Sequence, residues 1–257
     1  MTGGIRRLAG SLARSIGLRP TGDPHRDLAP EFLRIHKLAR DFTATSIERM
    51  YALYDAVRYV ERAGIAGDIV ECGVFKGGSV MMAALTLDTL GRRDRSIYLY
   101  DTFAGMTMPH DRDVDHTGRA ARAKFEKSRR ASHNDWCFAP IDDVRRNVRS
   151  TGYPENKFVF VEGDVEKTIP GTRPDTISLL RLDTDWYAST YHELTHLYPR
   201  LSRGGVLLLD DYGKWSGFRE AVDQYFREIE SPCSCRGSTI RAGSGSNPRT
   251  GVSSAKE

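Results

Sequence analysis

Strands covered on both faces, alternating with amphipathic helices, predict an α/β protein with a doubly wound, mostly parallel, Rossmann-like sheet. Three observations carry that expectation. Ile177 to Leu182 and Val206 to Leu209 are apolar runs without polar alternation, the pattern of strands buried in a parallel sheet. Both runs end in paired carboxylates, Asp183 with Asp185 and Asp210 with Asp211. Acids so placed lie at the carboxyl edge, where open α/β sheets bind ligands. An earlier strand runs into a glycine-rich turn, Glu71-Cys72-Gly73-Val74-Phe75-Lys76-Gly77-Gly78-Ser79, before a helix with the stripe Val80, Ala83, Ala84, Leu87.

Residues 1–22 hold Arg6, Arg7, Arg14 and Arg19, no acid, and apolar Ile5, Leu8, Leu12 and Ile16 at near-helical spacing. A solvated basic tail is the simplest reading, with weak membrane-surface contact as the alternative. It lacks the continuous apolar stretch of a secretory signal. The main domain is expected over 23–230, opening with a helical lead-in. In the helix Ser46 to Ala63, Ile47, Met50, Tyr51, Tyr54 and Val57 form one stripe, and acidic Glu48 stands in the first turn. Strands are predicted at Asp68 to Cys72, Ile97 to Tyr100, Phe158 to Val161, Ile177 to Leu182 and Val206 to Leu209. Helices are predicted at Ser79 to Leu90, Ala120 to Ser128, Ile141 to Ser150, Ala188 to Leu201 and Phe218 to Ile229. Such alternation means βαβ units with right-handed crossovers. The Asp-, Arg- and His-rich stretch from His110 to His133, within a segment near 106–135, has no clean strand and reads as a lid over the substrate. His110, His116 and His133 ride on it.

Composition bounds the function. A chain of 257 residues with 28% charged and 39% hydrophobic residues is neither disordered throughout nor a membrane protein. No apolar run approaches the roughly 20 residues of a bilayer span. A net charge of +4 spread without an aromatic-basic motif argues against nucleic acid as partner. Cys72, Cys137, Cys233 and Cys235 form neither a disulfide framework nor a metal-finger spacing, which fits a cytoplasmic setting.

If the two acid-tipped strands are neighbours, Asp183, Asp210 and Asp211 converge. Three carboxylates that close repel unless they share a cation, and hard oxygen donors suit Mg²⁺ or Mn²⁺. The plainer alternatives are a helix cap for Asp211 and a turn for Asp183. The glycine turn is not G-x-G-x-x-G, and Glu71 sits where a pyrophosphate would be repelled but an ammonium welcomed. Asp101, ending the second strand, is placed to accept ribose hydroxyls, and Asp164, after the third, to accept an adenine amine. Three acids in consecutive βα loops favour S-adenosylmethionine over NAD, although each alone is a common turn former.

The segments Glu71 to Ser79, Tyr100-Asp101-Thr102-Phe103-Ala104-Gly105-Met106, Leu182-Asp183-Thr184-Asp185-Trp186-Tyr187 and Asp210-Asp211-Tyr212-Gly213 resemble the macrocin O-methyltransferase family, over about Phe42 to Phe226. The resemblance implies a class I methyltransferase fold and a Mg²⁺- and S-adenosylmethionine-dependent enzyme. Its acceptor would be a sugar hydroxyl of a glycosylated natural product or a cell-envelope glycolipid. It implies Asp183, Asp210 and Asp211 as metal ligands and Asp185 as general base. Glu71, Gly73, Ser79, Asp101 and Asp164 fall where the family holds its methyl donor. A homo-oligomer acting on a small-molecule glycoside completes the expectation. Methylation of an aromatic diol, or a catalytically impaired protein that only binds the donor, are the alternatives.

The resemblance ends near Glu230. Two further strands are expected there, yet residues 231–257, opening Ser231-Pro232-Cys233-Ser234-Cys235, read as a disordered tail without a strand pair. A change of reading frame is the expected cause. Read one nucleotide earlier, every Cys or TC-type Ser codon gains a central T, so Cys233, Ser234, Cys235, Ser238, Ser244 and Ser246 all become apolar.

Overall fold

The computed structural model describes residues 28–229. The basic N-terminal tail and the atypical C-terminal tail therefore lie outside the described residues.

The lead-in is a helix, α1 (Pro30–Ala39), with Pro30 in its first turn, where the missing N–H costs nothing. Next comes α2 (Ile47–Arg62), whose N-cap Ser46 accepts a hydrogen bond from the Arg49 amide. The α/β alternation follows as β1 (Asp68–Cys72), α3 (Gly78–Thr89), β2 (Ile97–Asp101), α4 (Arg122–Ser128), α5 (Ile141–Arg149), β3 (Phe158–Glu162), α6 (Val165–Thr168), β4 (Ile177–Leu182), α7 (Tyr187–Leu197), β5 (Leu201–Leu209) and α8 (Ser216–Glu228). All strand pairs are parallel, in the order β3-β2-β1-β4-β5. The doubly wound expectation holds for the described residues.

Period-2 alternation divides the core into two layers. Ile69, Leu179, Val206 and Leu208 face a cluster with Phe32, Met50, Val57, Ala84 and Val144, the side of α1, α2, α3 and α5. Val70, Cys72, Leu180, Leu182 and Leu207 face the other, with Val165, Leu194, Leu197, Phe218 and Val222 of α6, α7 and α8. Helices on both faces explain why the strands carry no polar alternation.

Two boundaries differ from the sequence reading by more than two residues. β5 begins at Leu201 rather than Val206, because Leu201 pairs with Ile177 and a register shift between Ile177 and Leu179 carries the polar stretch Ser202-Arg203-Gly204-Gly205 along the strand. α7 stops at Leu197 and tightens into a 3₁₀ turn over Tyr198–Arg200, with Pro199 inside it. The one-turn helix α6 went unread. No helix among the described residues is long and apolar enough to cross a membrane.

Candidate active site

Parallel register sets the site. Glu71 of β1 lies opposite Arg181 of β4, and Arg181 opposite Leu208 of β5. The pairing continues past the strand ends: the Asp183 amide donates to the Cys72 carbonyl and the Asp210 amide to that of Leu182, both within 3.0 Å. Glu71, Arg181 and Leu208 share a register position, and Asp183 and Asp210 each lie two residues beyond it, so alternation turns the side chains of 71, 181, 183 and 210 toward the same face.

Arg181 is the hub. It is only 4% exposed. Its Nη1 contacts Glu71 Oε1 at 2.5 Å and Asp183 Oδ2 at 2.8 Å, and Nη2 contacts Asp210 Oδ1 at 2.8 Å. Arg49 of α2 adds a second cation to Asp210 at 2.8 Å, and the Thr45 hydroxyl donates to the same carboxylate. Lys214, in the loop after β5, bridges Asp185 and Asp211, its Nζ 3.3 Å from each. Five carboxylates thus meet three cations, leaving two negative charges in excess when all are ionised. The expectation of an uncompensated acid cluster is corrected here: protein cations neutralise most of it.

Burial and neighbouring charge split the carboxylates. Burial pushes Glu71 up to about 8 despite Arg181. It does the same to Asp211, also to about 8, with Asp185 and Asp210 adding to the rise. Asp183 is raised well above the ordinary carboxylate range by burial, and Asp185 is raised by burial against the pull of Lys214. Asp210 is buried too, but Arg181 and Arg49 outweigh that and hold it below the ordinary range.

Glu71, Gly73, Ser79, Asp101, Asp164, Asp183, Asp185 and Asp210 line one cleft, which encloses about 960 Å³ with its open mouth included, at the upper end of small-molecule sites. Asp211, the remaining predicted residue, is fully buried behind it. One carboxylate oxygen each from Asp183, Asp210 and Asp211 lie within 4.8 Å of one another. Asp185 turns its backbone into the left-handed region, φ +67°, which Asp tolerates better than most residues.

Two of the glycines are required by the protein's own packing. A Cβ at Gly73, φ +84°, would stand 2.1 Å from the Asp183 carbonyl oxygen, and one at Gly78 would meet Phe42 and Thr43 within 2.8 Å. They let protein backbone approach protein backbone. Asp101 is likewise busy: Oδ2 accepts from the Val74 and Phe75 amides at 2.7 and 3.0 Å, and Oδ1 from Phe103 at 2.8 Å. The Thr102 hydroxyl takes a fourth, long position on Oδ1 at 3.5 Å, so all of the roughly four acceptor positions of the carboxylate are engaged. Asp164 caps α6 through the Glu166 amide while still facing the cleft. His110, His116 and His133 are not among the cleft-lining residues. Sequence reasoning missed Arg49, Thr45, Lys214 and Arg181. For Arg181 the signal was present, since a charge inside an apolar strand must find buried partners.

Three segments with their acids at one sheet edge invite comparison with known proteins. The family model for macrocin O-methyltransferase (TylF) matches residues 37–234, well over half of the chain. The chain belongs to the macrocin O-methyltransferase family. This methyltransferase is 33% identical over 187 residues to demethyldecarbamoylnovobiocin O-methyltransferase of Streptomyces niveus, covering 73% of this chain and 68% of that one. It is 32% identical over 183 residues to 8-demethyl-8-(2,3-dimethoxy-alpha-L-rhamnosyl)-tetracenomycin-C 4'-O-methyltransferase of Streptomyces olivaceus, covering 71% and 67%. The solved structure of the O-methyltransferase NovP superimposes with a TM-score of 0.64 at 27% identity, over 95% of this chain and 96% of that one. The protein is an S-adenosylmethionine-dependent O-methyltransferase.

Proposed function

We propose that this methyltransferase transfers a methyl group to a sugar hydroxyl of a small-molecule glycoside with the help of Mg²⁺ or Mn²⁺. The observation that carries the reading is the convergence of Asp183 and Asp210, which line the cleft with Asp185, Glu71, Gly73, Ser79, Asp101 and Asp164, on Asp211, buried outside that lining. The residues fit a divalent ion. Asp211 Oδ2 is buried and accepts no hydrogen bond among the described residues, the donors are hard oxygens, and two negative charges stand in excess when all five carboxylates are ionised. In this reading Asp183, Asp210 and Asp211 hold the ion, which when bound lowers the pKa of a chelated sugar hydroxyl. The name of the Streptomyces olivaceus relative, with its rhamnosyl group, supports a sugar acceptor.

Asp185 takes the hydroxyl proton, and Lys214 balances its charge before transfer. Glu71 faces the ammonium of the methyl donor, Gly73 and Ser79 the methionine portion, Asp101 a ribose hydroxyl that takes the place of the long Thr102 contact, and Asp164 the adenine amine. Arg181, fixed between Glu71 and Asp183, keeps donor end and metal end in one rigid frame.

A panel of glycosides and catechols incubated with labelled donor, with and without Mg²⁺, tests this. Methylation of a glycoside that stops in excess chelator is the expected result, with donor affinity largely retained. Turnover unchanged by chelator would remove the metal from the reading; preference for catechols would replace the acceptor; donor binding without any turnover would make the protein a binder.

A further inference from the structure

We propose that Asp113 is a positioning residue: carried on the cover segment, residues 106–135, it caps α7 and thereby sets the turn that presents Asp185. The inference rests on the reading of Asp185 as the base. α7 begins at Tyr187, and its own N-cap, Trp186, makes no side-chain capping bond. The first amides of a helix need acceptors and favour a negative charge. Asp113, more than seventy residues earlier in the chain, supplies both. It is 0% exposed, its Oδ1 accepts from the Tyr187 amide at 3.0 Å, and its Oδ2 accepts from the His110 amide at 2.7 Å.

The fit is close on the third side as well. A Cβ at Gly217 of α8 would stand 2.0 Å from Asp113 Oδ1, so the carboxylate fills the space that glycine leaves. Two residues before Tyr187 stands Asp185 at φ +67°, a conformation that persists only when its surroundings impose it. The Trp186 amide closes the turn onto the Thr184 carbonyl at 2.8 Å, and the Trp186 indole donates to the Thr107 carbonyl of the same cover segment. Thr107 itself lines the cleft. The Asp185 turn is thus clamped by the segment that borders the acceptor side, and the base is in register only while that segment is seated.

Asp113→Ala, Asp113→Asn and Gly217→Ala are compared with wild type by three readouts: hydrogen exchange across residues 183–190, S-adenosylmethionine affinity by calorimetry, and methyl transfer to the best glycoside of the panel. Asp113→Ala should speed exchange at 183–190 tenfold or more, leave α3 exchange and donor affinity within about twofold, and lower kcat by roughly thirtyfold with little change in acceptor KM. Asp113→Asn keeps one acceptor and should lose less. Should Asp113→Ala fail to fold, Gly217→Ala carries the test, because its methyl displaces the carboxylate without touching Asp185. Unchanged exchange at 183–190, or a loss confined to KM, overturns the inference. Asp185→Asn run in parallel separates the two readings. If it is inactive while Asp113→Ala keeps full kcat, the inference alone fails; if it keeps full kcat, the base reading fails and takes the inference with it.

Discussion

Arg181 is the residue on which the acids depend. Removing one partner from a buried ionic network leaves the others uncompensated, at a cost of about 3–5 kcal/mol. Arg181→Met should therefore lower the unfolding free energy measured in urea strongly, even though Met fills similar space, and a value within about 0.5 kcal/mol of wild type would show that Glu71, Asp183 and Asp210 do not need it. Asp185 makes a second case, because its side chain and its backbone do separate things. Asp185→Asn keeps a residue that accepts φ +67° and should cut kcat by roughly a hundredfold with the fold intact. Asp185→Ala should lose as much activity and about 1 kcal/mol of stability besides, read by thermal melting. The acids of the site were legible in the sequence because they stop apolar strands. Arg181 left a signal as a charge inside an apolar strand, but its partners did not, since nothing in the local pattern says that residue 181 will stand opposite residue 71.

At the scale of elements, helix α7 carries an acid with no catalytic assignment. Glu193 is fully buried, accepts from the Thr184 hydroxyl at 3.1 Å, and leaves Oε1 without a partner among the described residues. Burial raises it well above its ordinary value of 4.5, so the folded protein holds the proton that the unfolded chain releases. Such a group contributes no penalty below about pH 4.5 and costs stability increasingly as pH rises above it, by about 1.4 kcal/mol per pH unit until the folded form itself ionises. Glu193→Gln should match wild type at pH 4.5 and exceed it at pH 8, measured as the difference between the two unfolding free energies across that range; parallel curves would mean that Glu193 is already ionised in the fold. The strands and most helices were readable because burial on both faces leaves unbroken apolar runs. The start of β5 was not, since its polar residues 202–205 join the sheet through a register shift that only tertiary pairing creates. The cover segment was read as a lid from the absence of strands; its anchorage through Asp113 depends on residues some seventy and a hundred positions away.

At the scale of the molecule, the strand order sets β4 between β1 and β5, so the glycine turn after β1 and the acid pairs after β4 and β5 meet at one sheet edge. Among the described residues β5 pairs with β4 alone, and a strand with one free edge lacks ladder bonds on that side. Replacing residues 231–257 by the alternative-frame sequence, rich in apolar residues where this chain has Cys and Ser, should raise the melting temperature, since each large side chain so buried is worth about 1.5 to 3 kcal/mol. Equal melting of the two versions would retire the frame-change reading. The backbone contacts made possible by Gly73, Gly78 and Gly105 have a consequence for descent. Gly73 abuts the Asp183 carbonyl, Gly78 the chain at Phe42 and Gly105 the Asn134 carbonyl, so the two ends of the cleft are joined main chain to main chain. Side chains facing the acceptor can then be exchanged over generations without shifting the donor half, because these main-chain contacts and the buried Arg181 bridge, not the acceptor-facing side chains, set the spacing between them. A lineage built on this frame can diversify its acceptors while its methyl chemistry stays fixed.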